Sequence, residues 1–168
     1  FPSVLNLVSR WRPASVIAEQ YRVAATRLVL MSSSQRGTTI AVTSSVKGEG
    51  KSATSVNLAY ILGNDLGKRT LIIDCDLKNP TVNRYLGMDL LLGLTDVLSG
   101  DCLLEQALRQ VDTTSLWMLS AGSRQSLELM AIGKLSKNLP ELRQQFDYII
   151  IDSPPILPQA DMHEIAAV

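Results

Sequence analysis

The 168-residue chain is poor in the side chains that bind soft metals: it has one histidine and two cysteines. Cys75 and Cys102 lack both the close spacing of a zinc site and the density of a disulfide framework, so they read as reduced thiols. His163, on an expected terminal helix, reads as a surface residue rather than a base. Net charge is missing too, because Lys+Arg 16 balance Asp+Glu 16. Without a basic footprint, no nucleic-acid partner is expected. Long apolar runs are also absent. The longest stretch free of charge, Ser52–Asn64, has 13 residues, whereas a spanning helix needs about 20. The start, Phe1-Pro2-Ser3, has no basic segment leading into an apolar core, so no signal peptide is expected; nor is it Met, which suggests an excised domain. With no repeat, linker or low-complexity segment, residues 1–168 are expected to form one domain. A hydrophobic content of 46% argues against disorder.

Short apolar runs alternate with longer amphipathic stretches, the rhythm of an α/β fold. Ile17, Tyr21, Ala24 and Leu28 predict a helix over about 15–31, broken by Gln35-Arg36-Gly37. Thr39–Ser44 predicts a buried strand. Ser52–Leu66 predicts a helix that is apolar nearly all round and is ended by Gly67. Further strands are expected at Thr70–Asp74, Ser115–Leu119 and Tyr148–Asp152, the last stopped by Ser153-Pro154-Pro155. Leu94–Leu98 and Leu103–Leu108 predict short helices, and 126–145 a longer one turned near Pro140. A last helix opens near Ala160. The expected fold is therefore a doubly wound, mostly parallel sheet with helices on both faces. An open sheet does not readily stop inside a crossover helix, so a further strand is expected beyond Val168, as in a domain truncated at its C-terminus.

The segment Thr43-Ser44-Ser45-Val46-Lys47-Gly48-Glu49-Gly50-Lys51-Ser52 lies between an expected strand and an expected helix, where a phosphate-binding loop belongs. Gly48 and Gly50 let the backbone N–H groups curl inward, and the following helix adds the positive end of its dipole. Lys51 supplies a point charge for β/γ-phosphates and Ser52 a hydroxyl for Mg²⁺. The usual pattern has Gly where this chain has Ser45. Lys47, Gly48, Glu49, Gly50, Lys51, Ser52 and Ala53 are the expected contacts to ATP or ADP. Asp74-x-Asp76 and Asp152 fall at the carboxyl ends of two strands, on the edge where open α/β sheets bind ligands. They could serve Mg²⁺, or each could cap the next helix. Cys75 reads as a small filler, and Trp11 and Trp117 as packing anchors.

Together, the loop at 43–52, Leu71-Ile72-Ile73-Asp74-Cys75-Asp76-Leu77-Lys78-Asn79-Pro80, and Phe146-Asp147-Tyr148-Ile149-Ile150-Ile151-Asp152-Ser153-Pro154-Pro155 resemble the Walker A, A′ (71–80) and B (148–155) motifs of bacterial tyrosine kinases, the P-loop kinase domains of capsular and exopolysaccharide co-polymerase systems. Gly93–Gly100 and Asp161 resemble family positions as well. The resemblance implies an ATP- and Mg²⁺-dependent protein-tyrosine autokinase that regulates polysaccharide polymerisation or export. It implies a catalytic set of Lys51, Asp74 and Asp76, with Asp74 activating the tyrosine hydroxyl, and a metal set of Ser52, Asp76 and Asp152. It also implies a cytoplasmic domain tethered at the inner membrane through a co-polymerase segment or adaptor outside this chain. A homo-oligomer is implied through the helix carrying Glu19 and Arg22, and it is expected to be weak in isolation.

Several positions depart from the family pattern. Lys47 stands for Pro, Ala53 for Thr, Lys78 for Arg, and Ala25 for the third charge of Glu-x-x-Arg-x-x-Arg. No tyrosine-rich tail is present: Tyr21, Tyr60, Tyr85 and Tyr148 are scattered, and Tyr148 reads as core. The region that holds adenine in the family is absent as well. The competing readings are a partition- or septum-positioning ATPase switch and a non-catalytic nucleotide-binding module. The first carries a signature lysine where this chain has Val46. A GTPase is disfavoured by the lack of Asn-Lys-x-Asp.

Overall fold

The computed structural model describes residues 7–32, 36–89, 92–122 and 130–156, with the backbone alone for 130–134. Five strands form one sheet: β1 (Thr38–Val42), β2 (Thr70–Asp74), β3 (Arg109–Gln110), β4 (Leu116–Leu119) and β5 (Tyr148–Asp152). Their order is β1-β5-β2-β4-β3, parallel throughout except for β3, which runs antiparallel on β4. Every residue of β2 and β5 is buried, as expected of parallel strands covered on both faces. Because side chains alternate along a strand, Leu71, Ile73, Ile149 and Ile151 point to one core while Ile72 and Ile150 point to the other.

Helices cover both faces, as in the doubly wound fold expected from the sequence. Chain order gives α1 (Val8–Trp11), α2 (Val16–Met31), α3 (Lys51–Tyr60), α4 (Val82–Leu86), α5 (Leu94–Ser99), α6 (Leu104–Ala107) and α7 (Met130–Gln145). One face packs Leu94, Leu98, Leu104, Leu139 and Phe146 against the sheet. The other packs Ala25, Val56, Ile61, Val82 and Leu86. Ser15 starts α2 by accepting the Ala18 N–H on its hydroxyl.

The differences from expectation are local. Thr43 and Ser44 lie beyond β1, in the loop. The helix expected to Leu66 widens after α3 into a π-helical turn, Ile61–Asp65, which sets the Gly63 backbone so close to β4 that a Cβ there would lie 2.7 Å from the Leu116 Cβ. Pro140 sits inside α7 rather than ending it. Three elements were not expected: α1, α4 and β3. Residues 126–129 of the long helix, the helix near Ala160, Asp161 and His163 lie outside the described residues. Cys75 and Cys102 are free thiols. Among the described residues, no helix is long and apolar enough to cross a membrane.

Candidate functional site

Parallel β1, β5 and β2 deliver three loops to the same edge of the sheet, and the 45–52 loop, Asp74, Asp76 and Asp152 sit there. The loop after β1 is strapped to the end of β5. Thr43 Oγ1 donates to the Pro154 carbonyl at 2.9 Å, Ile156 N–H donates to the Ser44 carbonyl at 2.9 Å, and the Ser153 N–H and hydroxyl both donate to the Val42 carbonyl. At the tip, Gly48 (φ 94°) and Gly50 (φ 88°) take left-handed conformations. A Cβ at either would meet nothing within 4 Å, so conformation rather than space demands glycine. Gly50 then begins α3.

The Glu49 side chain braces its own loop, which leaves the expected phosphate contact to its backbone N–H. Its Oε2 accepts the N–H groups of Ser45 (2.8 Å) and Val46 (3.1 Å), so the carboxylate folds back on its own loop. A negative side chain aimed at phosphates would repel them; turned back, it satisfies two amides. Lys47, the residue in place of Pro, reaches the Asn79 Oδ1 at 3.0 Å and links this loop to the one after β2. Lys51 Nζ lies 2.6 Å from Asp76 Oδ2, with side chains only 11% and 4% exposed. Ala53 occupies the first turn of α3.

Asp152 is fully buried, and its Oδ1 accepts a hydrogen bond from the Ser55 hydroxyl at 3.0 Å. Its Oδ2 is buried with no partner. Burial raises its carboxyl above the ordinary range, against the pull of Ser52 and Lys51. Asp74, its partner in strand register, is 1% exposed. Oδ1 of Asp74 accepts the Asp76 N–H (3.2 Å), and Oδ2 accepts those of Thr81 (3.0 Å) and Val82 (3.1 Å). Burial, then the Asp152 charge, pushes Asp74 up to about 7, although the three amides oppose this. Cys75, between these carboxylates, has its thiol raised well above the ordinary value by burial, and so it is inert.

A magnesium nucleotide suits these groups. The unpartnered Asp152 Oδ2, the Ser52 hydroxyl and the Asp76 carboxylate are hard oxygen donors, and Mg²⁺ takes one or two carboxylates and completes its shell with phosphates and water. No group of three or more His, Cys, Asp or Glu among the described residues could hold a metal alone. Ser55 and Asn79 were not singled out from the sequence, although Ser55 lies three residues after Ser52, on the same helix face.

Away from this edge, Arg22 bridges Glu19 and Asp65, the latter at 3.0 Å. Ala25 is fully buried. Three-residue steps advance about 300° around a helix, so this third position of the motif turns toward the core.

A family model for an AAA domain matches residues 37–167. Tyrosine-protein kinase YwqD of Bacillus subtilis (strain 168) is 34% identical over 158 residues, covering 93% of this chain and 66% of that protein. The succinoglycan biosynthesis transport protein ExoP of Rhizobium meliloti (strain 1021) is 30% identical over 159 residues, 92% of this chain and 20% of that protein. The VpsO kinase domain superposes with a TM-score of 0.78 at 30% identity, covering 94% of this chain and 79% of that one. The septum site-determining protein MinD complexed with Mg-ADP, from Pyrococcus horikoshii OT3, gives 0.66 at 26%, over 77% of this chain and 54% of that one. The chain thus spans just under two thirds of the Bacillus relative and a fifth of the Rhizobium one.

Proposed function

The chain belongs to the AAA-domain family, with the P-loop fold, in its bacterial tyrosine-kinase branch, and from that membership we propose that it transfers the γ-phosphoryl group of ATP to protein tyrosine, regulating the polymerisation or export of a capsular or extracellular polysaccharide. The observation that carries the reading is the convergence of Lys51, Asp76 and the open Asp152 oxygen beside the Gly48–Gly50 loop. Phosphoryl transfer asks for positioning and charge neutralisation more than for covalent chemistry, and this edge supplies both.

In the mechanism, the loop amides and the α3 N-terminus cradle phosphate, and Lys51 leaves Asp76 to meet the β/γ-oxygens. Ser52, Asp152 and Asp76 would hold Mg²⁺, which would supply charge neutralisation for the phosphates. A carboxylate at the end of β2 takes the tyrosine proton as the phenolic oxygen bonds to phosphorus and the leaving ADP oxygen departs. Lys47, tied to Asn79, holds the two loops together across the site.

The name of the Rhizobium relative supports the polysaccharide setting. A membrane-anchored co-polymerase segment or adaptor is the proposed tether, which holds the domain at the cytoplasmic side of the inner membrane. Self-association through Glu19 and Arg22 is proposed to be weak, since exposed pairs contribute about 0–1 kcal/mol and Arg22 already holds Asp65. Sedimentation velocity should show mostly monomer at micromolar concentration, and a salt-insensitive closed oligomer would place the interface elsewhere.

The test uses ATP labelled on its γ-phosphate with Mg²⁺ and a tyrosine-containing copolymer. Label on tyrosine supports the kinase. Free phosphate alone favours a switch ATPase of the MinD kind, against which Val46 already stands. Neither product leaves a binding module.

A further inference from the structure

Two serines three residues apart share one face of α3, and they sit at different depths. Ser52 is 9% exposed, at the rim of the site, whereas Ser55 is fully buried. The Ser55 hydroxyl carries one proton and has two acceptors in reach. One is the Lys51 carbonyl at 2.9 Å, a turn back along α3, and the other is the Asp152 Oδ1 at 3.0 Å. An ionised carboxylate is the stronger acceptor, and a charge-assisted bond is roughly twice as strong as a neutral one. The Lys51 carbonyl alone would satisfy a buried hydroxyl at this position. The contact to Asp152 is therefore not something that burial of Ser55 requires.

Asp152 is the group that gains from it. Its main chain is fixed by the sheet: the residue pairs with Val42 on one side and Asp74 on the other, and its carbonyl accepts the Cys75 N–H at 2.8 Å. What stays free is the side chain, and the last torsion of an aspartate is broad rather than locked by staggering. Ser55 stands on a regular helical turn beneath that carboxyl and holds Oδ1, while Oδ2 is left buried with no partner. An unsatisfied buried oxygen is costly, so the carboxyl plane would turn if nothing held it. Groups behind a metal ligand commonly orient it in this way and tune the affinity of the site.

We infer that Ser55 is a positioning residue: from the buried side of the site it fixes the Asp152 carboxylate through Oδ1, keeps Oδ2 free for the metal, and thereby sets how strongly Mg²⁺ supports nucleotide binding. The inference rests on the proposed nucleotide site for its affinity arm only. A serine that merely fills space would affect binding with and without Mg²⁺ alike, or not at all.

The experiment compares the parent chain, Ser55→Ala, Asp152→Asn and the double variant. ADP affinity is measured by calorimetry with saturating Mg²⁺ and again in EDTA, and the ratio of the two is the Mg²⁺ gain. Nucleotide-free crystal structures of the parent and Ser55→Ala read the Asp152 rotamer. Ser55→Ala is expected to lose about tenfold or more of the gain, with affinity in EDTA within about threefold of the parent. In the Asp152→Asn background the same substitution should change the gain by less than about threefold, because the group it acts through is already altered. The Asp152 carboxyl of Ser55→Ala should be turned, or split between two positions. An unchanged gain, an equal loss with and without Mg²⁺, or the same loss in both backgrounds would overturn the inference, as would a single Asp152 rotamer identical to the parent's. If Ser55→Ala does not fold, Ser55→Cys, close in shape but a weaker donor, is read by the same criteria. If the parent binds no Mg·ADP, the proposed function fails, and the Asp152 rotamer in Ser55→Ala still decides the positioning.

Discussion

Removing one partner of the Lys51–Asp76 pair tests whether the site is held together by charge. The two groups meet at 2.6 Å with side chains 11% and 4% exposed. Coulomb attraction at that distance is about 6 kcal/mol at an effective dielectric of 20, a ceiling from which desolvation of both ions must be subtracted. Breaking such a pair from one side leaves an uncompensated buried charge, which costs about 3–5 kcal/mol. Lys51→Met leaves the less exposed group, Asp76, stranded, so it should lose about 3 kcal/mol in the nucleotide-free state. Asp76→Asn should lose less, about 1–2 kcal/mol, because the long Lys51 stem can carry its ammonium toward water. The double variant removes both charges and should recover about 2 kcal/mol relative to the sum of the singles, far outside the additivity of independent sites. The assay is urea unfolding with EDTA and no nucleotide, supported by Tm, which for a chain of this size falls about 2–4 °C per kcal/mol. Single effects that add within about 0.5 kcal/mol would refute the reasoning. The pair would then be a contact of geometry without energetic coupling, and Lys51 would be free to meet phosphate at no cost.

Asp152→Asn should keep nucleotide affinity within about tenfold but weaken its dependence on Mg²⁺, since an amide is a poorer ligand for a hard cation; coincident Mg²⁺ titrations by calorimetry would make Asp152 structural. Gly63→Ala should lower stability by about 1–3 kcal/mol, because its Cβ would lie 2.7 Å from the Leu116 Cβ and 2.8 Å from the Leu116 nitrogen, and an unchanged urea midpoint would show that β4 can yield. Asp74, raised from 3.8 to about 7 in the fold, binds its proton more tightly there than in the unfolded chain. Without Mg²⁺, the stability that Asp74 contributes should therefore be fully present below about 4 and be lost as pH rises through about 7, and Asp152 shifts in the same direction. The check is the urea midpoint across that window: a midpoint that rises with pH there, or the same fall in Asp74→Asn, would assign the dependence to other groups.

The centre of this fold is legible because β2 and β5 are short runs with no polar face, and because Gly48 and Gly50 fit only a tight turn. The elements that escaped the sequence reading are those with too little local signal. The two residues of β3 form a strand only because β4 lies opposite them. α4 spans five residues, and its start is marked by Asp74, a side chain eight positions earlier than Val82. The widened turn at Ile61–Asp65 looks like ordinary helix in composition. Pro140 reads as a break, yet packing of Leu139 and Leu142 in the core holds α7 through it. At the site, residue types were readable and directions were not. The Glu49 carboxylate turns back to the amides of Ser45 and Val46, which no spacing announces, and the Glu19-x-x-Arg22-x-x-Ala25 spacing hides the inward turn at Ala25.

Among the described residues, the last strand in sequence lies inside the sheet rather than at its edge. β5 lies between β1 and β2, pairing Thr38 with Tyr148 and Thr70 with the same residue. Until residues 148–152 arrive, β1 and β2 have no direct partnership with each other. The chain must close a loop of about 110 residues to join β1 to β5, a slow, long-range event compared with local helix formation. During synthesis, therefore, the phosphate loop leaves the ribosome long before the strand that anchors Thr43, Ser44 and the Asp152 carboxylate. A nascent chain stopped before Tyr148 should expose the apolar edges of both strands to chaperones and hold nucleotide poorly. Under the proposed function, nucleotide capture would then report that β1, β5 and β2 have joined, which would make it a readout of that folding step.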